Sequence, residues 1–459
     1  MAAQATGPEM EVARKFENVA DANAALDRLL PMITDARFAD DLDAVPHVLS
    51  LADGLLDLKT LEVRPRRLED KQTLCLSTAW PDVGVDYPTP LIDSFFKQLL
   101  GIKDGACLRE EDRAKGSDDD EGLFEFVRVL LGQAALTGST DAQVLTFLYG
   151  SDAGNGKTAL MRLLANLLED YALKCERKLI TRCQPSNEGA ANPAMMSLQG
   201  RRFGWCEEFG EDEVMSDERI KALTGGGKVR ARQLNTPEVE FDMTTSFVLA
   251  SNNKPTFAHL DQAIMRRLVM IACDTLFRDD TTEVEYDPAN PRHRWRDPNI
   301  AERLGTLEGK QQLLVWLAVG AHAFYAAEGK LPPLPPSVSA LNRETQMEQD
   351  HVGTFLAEAC EFDSRFEKAQ ITDYCQWRRT TEQPLDPRYL YDKSRFAADF
   401  KDATGKEWSL SFERQLLKLN VGRRRLRPFR AYAASSCYVG IRPVGCQRAQ
   451  QEADGVFGE

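Results

Sequence analysis

The chain has only five histidines in 459 residues, and none of its ten cysteines forms a C-x-x-C pair or stands with histidine at metal-ligand spacing. A structural zinc site of the clustered kind is thereby excluded. The scattered thiols read as free groups of a reducing, intracellular compartment. Long apolar runs are missing too. The longest, Leu313 to Ala327, contains His322 and falls short of the roughly 20 residues a membrane span needs. It is read as a buried helix, and no membrane partner is expected. The first residues, Met1 to Pro8, lack the basic and apolar regions of a secretory signal. No internal repeat is found. With 43% hydrophobic and 28% charged residues, the composition is that of a globular protein long enough for two or three domains.

A formal charge of −14 argues against a wholesale nucleic-acid coat. Yet acids are absent from two basic stretches. One runs from Lys221 to Arg232; the other, from Arg414 to Arg430, includes Arg423, Arg424, Arg425 and Arg427. Basic charge concentrated on an acidic particle reads as local contact with a polyanion.

Composition shifts divide the chain into a mixed, mainly helical region over 1–115, an α/β core over 116–330, a proline-rich linker over 331–344, a small domain over 345–445 and a tail over 446–459 expected to be disordered. In the first region Phe16 to Leu30 looks helical and Val48 to Leu58 looks like a strand-and-turn unit. Asp41-x-Asp43 with His47 could suggest a metal-binding primase centre, but the region is too short for a polymerase-like domain and the acids are read as a helix-end cluster. Residues 278–300, rich in Asp, Thr, Pro and Arg, look like a long surface loop. The small domain mixes helices (Val352 to Ala359, Lys393 to Phe400, Phe412 to Leu419) with a terminal strand, Cys437 to Ile441, in a winged-helix-like pattern whose wing would carry the second basic stretch.

The most informative segment is Gly150-Ser151-Asp152-Ala153-Gly154-Asn155-Gly156-Lys157-Thr158. It follows the apolar run Val144 to Leu148 and precedes the helical pattern Ala159 to Leu164. A buried strand, a glycine-rich turn and a helix start are what a phosphate-binding loop requires. Backbone N–H groups curl round the phosphate oxygens and the helix N-terminus adds partial positive charge. Lys157 would reach the terminal phosphates of ATP, and the Thr158 hydroxyl would hold Mg2+. The strict pattern places a glycine at 151, where this chain has Ser151 and carries the glycine one residue earlier. A glycine-rich turn before a surface helix would look similar.

Acids at the end of a second strand would complete an ATPase. Phe203 to Cys206 is followed by Glu207, assigned to the metal, and Glu208, assigned to the attacking water. A third strand, Ser246 to Ala250, ends at Ser251-Asn252-Asn253, and Asn252 is the candidate sensor of the terminal phosphate. Arg266 and Arg267, just before another strand, are candidates for a finger into a neighbouring subunit; a surface salt bridge fits either equally well. In Lys228-Val-Arg230-Ala-Arg232 the cations alternate and so share one strand face. With a turn at Asn235 to Glu238 and a returning strand from Val239, they would form a basic hairpin for single-stranded DNA or, alternatively, a solvated edge.

The order Gly-Asn-Gly-Lys-Thr, Glu207-Glu208, Ile220 to Gly226, Ser251-Asn252-x-x-Pro255 and Ala263-x-x-Arg266-Arg267 resembles the superfamily 3 helicases, most of all the poxvirus-type and phage/plasmid-type primase-helicases of large DNA viruses. Leu51 to Thr60, Trp316 to Ala321 and Asp350 to Leu356 are similar to segments flanking that family's core. The resemblance implies an AAA+-like core in a ring, usually a hexamer, that translocates on single-stranded DNA. It implies ATP and Mg2+ as cofactors, forked DNA as substrate, and the host cytoplasm or nucleus as its place of action. Gly227 stands where the family commonly has aspartate. No primase domain is evident, so a primase or a polymerase processivity factor is expected on another chain. The rival expectation is a DNA-binding initiator or regulator whose ATPase serves as an assembly switch.

Overall fold

The computed structural model describes residues 41–349, except 119–121, 183–191, 211–212, 234–235, 258–259 and 282–283. It also describes residues 23–24, 26–29, 360–362, 390–404, 406–407, 428–429, 437–439 and 441–443. The start of the first region, the second basic stretch up to 427 and the helices expected at Val352 to Ala359 and Phe412 to Leu419 lie outside the described residues. So does most of the winged-helix-like pattern.

Contacts divide the chain into two units. One comprises residues up to Asn253 together with Arg266–Ser337; the other comprises Lys254–Met265 and the chain from Val338 onward. In the first unit, the apolar alternation after residue 47 folds into an antiparallel meander of β1 (Val48–Leu51), β2 (Gly54–Asp57) and β3 (Glu62–Arg64). Leu49, Leu51, Leu55 and Leu56 are buried. Helix α1 (Pro90–Leu99) follows, with proline in its first turn, where no backbone donor is needed. This N-terminal part is tied to the core by Arg202. Its fully buried guanidinium donates to the carbonyls of Val48 at 2.6 Å, Pro46 at 3.3 Å and Leu136. The Asp41–Asp43 cluster is structural: Asp41 pairs with Lys71 at 2.6 Å, and Asp43 accepts from the Thr73 backbone at 2.9 Å.

The centre of the unit is a mixed α/β layer. After helix α2 (Leu123–Leu136) come β4 (Leu145–Tyr149), α3 (Lys157–Leu168), β5 (Ala172–Lys174) and β6 (Phe203–Glu207). Helix α4 (Asp217–Thr224) and the strands β7 (Lys228–Ala231), β8 (Val239–Asp242), β9 (Ser246–Ser251) and β10 (Leu268–Ala272) complete it. Five strands form one parallel sheet in the order β10-β4-β9-β6-β5. Burial on both faces explains why these strands are runs of apolar residues and not alternations; Phe147, Val248, Leu249 and Met270 are all fully buried. The order inserts β9 between β4 and β6, so the ends of the first, third and fourth strands in sequence open on one crevice, where parallel sheets bind ligands.

Residues 276–295 are not simply a surface loop. Leu276–Arg278 (β11) and His293–Trp295 (β12) pair in parallel, because Asp112 draws the segment back: it accepts from Trp295 N–H at 2.7 Å and from the Tyr286 hydroxyl at 2.8 Å. The apolar run near residue 313 is the buried helix α5 (Leu307–Ala326). Its Trp316 stacks on Phe96 with ring centroids 4.1 Å apart, and burying a ring of this size contributes about 1.5–3 kcal/mol. Among the described residues no helix is long and apolar enough to cross a membrane.

Described by itself, the second unit contains most of α6 (Pro336–Gln349). The stiff linker expected over 331–344 is therefore non-helical only to 335, since a proline at a helix's first position is compatible with helix initiation. The unit also holds helix Lys393–Thr404 and an antiparallel trio of Leu390–Asp392, Cys437–Val439 and Pro428–Phe429.

Candidate active site

The turn between β4 and α3 is built like an anion receptor. Its carbonyls are taken up by side chains of the loop itself and by donors beyond it. That of Gly150 accepts from Lys157 Nζ at 2.8 Å and Asn155 Nδ2 at 3.2 Å, and that of Asp152 accepts from Asn155 Nδ2 at 2.8 Å. The Ala153 carbonyl accepts from Arg278 at 2.9 Å and that of Gly154 from the Phe277 N–H at 2.8 Å. By contrast, among the described residues the N–H groups of 151–156 donate to no protein acceptor. A row of unspent N–H groups at a helix start is a concave nest for anionic oxygens.

Glycines make the curl. Gly154 and Gly156 lie at φ +77° and +84°, and a Cβ on Gly156 would come within 2.8 Å of Leu99. The displaced glycine also finds its reason. A Cβ on Gly150 would collide with the Asn155 amide and the Cys273 carbonyl and lie 3.2 Å from Lys157 Nζ. Ser151, one residue later, is exposed and bonds only to Asp152 at 3.2 Å. The tight approach falls at 150, so 151 tolerates a side chain.

Lys157 is 5% exposed, and burial pushes its pKa below the usual lysine value. Its ammonium also donates to Asn252 Oδ1 at 2.9 Å, so the loop lysine and the candidate sensor meet directly, across the β4–β9 boundary. Thr158 is exposed on the first helical turn. Glu207 ends β6 one strand further on. Its Oε2 pairs with Lys174 at 3.1 Å, while its buried Oε1 has no protein partner. Glu208 is exposed and sits at φ 59°, a left-handed conformation costing about 1–2 kcal/mol for a non-glycine residue. It is held there by its own N–H to the Ala250 carbonyl at 3.1 Å and by Arg177, which donates to its carbonyl at 2.8 Å.

The arginine pair separates. Arg267 is 7% exposed and donates through Nε to Thr224 at 3.1 Å; it is a brace inside its own chain and is badly placed for a finger. Arg266 is exposed and makes no contact with a described acceptor. The basic hairpin is present as β7 and β8, paired antiparallel, with Lys228, Arg230 and Arg232 exposed. Its register sets Asp242 opposite Lys228 and Glu240 opposite Arg230, the latter an ion pair of 3.3 Å. The cationic face is thus partly countered by its own partner strand.

Four charged residues that contact the loop or the acid pair were missed from sequence: Lys174, Arg177, Arg278 and Arg292. Arg292 pairs with Asp152 at 2.6 Å and holds its carboxyl below the ordinary range. No local motif marks any of them; the fold of 276–295 and the β5–β6 neighbourhood bring them in.

Two family profiles match the chain. One, described as D5 N terminal like, covers residues 4–101. The other, a family of unknown function (DUF5906), covers residues 148–267 and so spans the loop, the acids and Asn252. The chain is 30% identical over 268 residues to a putative primase of African swine fever virus, covering 57% of this chain and 25% of that protein. It is 24% identical over 297 residues to a putative helicase of Acanthamoeba polyphaga mimivirus, with coverages of 64% and 29%. It is 23% identical over 288 residues to the primase D5 of fowlpox virus, with coverages of 61% and 34%. The chain therefore spans about a quarter to a third of the length of these relatives. Among solved structures, the apo form of the NrS-1 C terminal region covers 77% of this chain and 79% of that one at 13% identity and a TM-score of 0.41.

Proposed function

Since this chain is a relative of the poxvirus-type primase-helicases of large DNA viruses, we propose that it is an ATP-dependent DNA helicase of superfamily 3 type, an AAA+-like ATPase acting in viral DNA replication as a homo-oligomeric, hexameric ring on single-stranded and forked DNA. The observation that carries the reading is the loop with four of its carbonyls engaged and its N–H groups of 151–156 unspent among the described residues, closed by a buried Lys157 that already touches Asn252. Such a nest with a lysine at its rim is suited to the phosphates of a nucleoside triphosphate.

In this reading the residues divide the work. The loop N–H groups and Lys157 bind the phosphate chain; Lys157 would exchange its Gly150 and Asn252 partners for phosphate oxygens, freeing the Asn252 amide to orient water at the terminal phosphate. Glu208 takes the proton of that water. A divalent cation fits the residues present: Glu207 Oε1 is buried without a partner, and Thr158 stands on the first helical turn. Magnesium takes most of its shell from phosphate and water, so few protein ligands would be asked of the site. Bound there, Mg2+ would neutralise charge developing on the phosphates. Arg266 is the residue of its pair available to a neighbouring subunit.

The test is ATP hydrolysis by the purified chain with and without Lys157→Ala. Loss of one preorganised charge of this kind costs about 10²–10³ in rate. A rate near wild type in the variant would show that the loop is not the catalytic site. Glu208→Gln should retain ATP binding and lose hydrolysis.

A further inference from the structure

Beyond the carboxyl ends of β5 and β6 lies a cavity of about 700 Å³, lined by Lys174, Arg177, Lys178 and Arg182 as well as by Glu176, Glu207 and Glu213. It is distinct from the loop, which is at the end of β4. We propose that this cavity is a second anion site, taking a phosphate group of the single-stranded DNA backbone on Arg177 and Arg182 and reporting its presence to Glu208. The reporting part rests on the ATPase reading above.

Arg177 spends only one of its terminal nitrogens: that atom donates to the Glu208 carbonyl at 2.8 Å and to Glu213 at 3.1 Å. Its other terminal nitrogen and Nε have no acceptor among the described residues. Arg182 is exposed and its whole guanidinium is without a described acceptor. Two planar forks with unused donors beside one cavity match the geometry of phosphate oxygens better than lysines would. The ion pairs that line the cavity do not block it. Lys174–Glu207, Arg177–Glu213 and Lys178–Glu176 involve cations 61%, 49% and 54% exposed, and pairs this open to water exchange partners at little cost.

The coupling follows from a shared group. The same guanidinium that would hold the phosphate already holds the carbonyl of Glu208, whose left-handed backbone depends on its flanking hydrogen bonds. Drawing Arg177 toward a phosphate shifts that carbonyl, and with it the carboxylate assigned to water. Lys174 brings the neighbouring acid, Glu207, to the same wall.

The experiment measures binding of a fluorescent oligothymidylate to the full chain without nucleotide, over a range of salt, for wild type, Arg182→Ala, Arg182→Lys and Arg177→Lys. The Arg182 side chain braces nothing else among the described residues, so its variants test binding and not folding. Arg182→Ala should weaken binding and lower the salt slope by about 0.7, one single-strand phosphate; Arg182→Lys should recover part of the affinity. Arg177→Lys should bind the oligonucleotide with less loss but reduce the ratio of ATPase rates with and without it, because a single ammonium nitrogen on a shorter side chain cannot span a carbonyl and a phosphate set as far apart as two guanidinium nitrogens reach. Wild-type affinity and slope in Arg182→Ala would overturn the site. A competition arm with tripolyphosphate separates the sources: if Arg182→Ala loses tripolyphosphate binding while oligonucleotide binding is unchanged, the site serves a free polyphosphate, and the DNA assignment falls. The binding arm needs no hydrolysis, so a wild-type chain without ATPase activity would overturn the function reading and leave this result standing.

Discussion

The phosphate loop and the basic hairpin are both short turns rich in the residues that contact polyanions, yet they are made in opposite ways. In the loop the carbonyls of Gly150, Asp152, Ala153 and Gly154 are engaged and the N–H groups of 151–156 are unspent among the described residues, with Lys157 and Asn155 buried at 5% and 4% exposure. In the hairpin the cations stand in water, and two of them face acids across the ladder. A packed site fixes chemistry through sterics and desolvation, so single atoms matter greatly. An open ribbon works through summed charge, where each residue matters modestly.

A large effect on nucleotide affinity should come from placing one methyl group in the loop. Gly150→Ala drives a Cβ into the Asn155 amide and the Cys273 carbonyl, and overpacking of this kind costs about 1–3 kcal/mol. ATP affinity should fall by about ten-fold or more, measured by titration with a fluorescent analogue, whereas Ser151→Ala should bind normally. Equal behaviour of the two would erase the contrast between a built loop and a tolerant turn.

The arginine pair repeats the contrast at adjacent positions. Arg267→Ala removes a buried guanidinium and the hydrogen bond it donates to the Thr224 hydroxyl, and should lower unfolding stability by about 1–3 kcal/mol. Arg266→Ala should change stability by less than about 0.5 kcal/mol but abolish ATPase activity, which should reappear in part on mixing with Lys157→Ala. Thermal melts and a mixing series decide it; no recovery at any ratio, with co-assembly confirmed, would confine Arg266 to its own chain.

On the hairpin, the triple Lys228, Arg230 and Arg232→Ala variant should reduce the salt slope of single-strand binding by about 0.7 for each phosphate it no longer neutralises. An unchanged slope would remove the hairpin from the DNA path. The smallest effect is expected from its acids. Glu240→Gln frees Arg230 from a half-exposed pair and should raise single-strand affinity by no more than about five-fold; a decrease would mean that the pair orders the hairpin for binding.

Part of this site was legible in the residues because its signals are local. Strand, glycine turn, Lys157 and helix follow one another along the chain, so Gly150 to Thr158 could be read as a loop, and apolar runs ending in Glu207 and Asn252 could be read as buried strands with polar tips. The hairpin register was nearly readable too, since alternation over Lys228 to Arg232 and a turn near Pro237 are nearest-neighbour properties. The acids across the ladder were visible as residues; their opposition to Lys228 and Arg230 depends on pairing.

Other features had no local trace. Arg266 and Arg267 are identical as letters, and only packing separates the exposed one from the brace. Arg278 and Arg292 reach the loop because Asp112, more than 160 positions away, anchors the segment that carries them. The core strands and helices, and the chemical types at their ends, could be read from the residues, because backbone geometry and hydrophobic burial act over a few positions. Which ends share a crevice is fixed by the strand order β10-β4-β9-β6-β5, and which side chains are desolvated there by packing, since both depend on contacts between residues far apart in the chain.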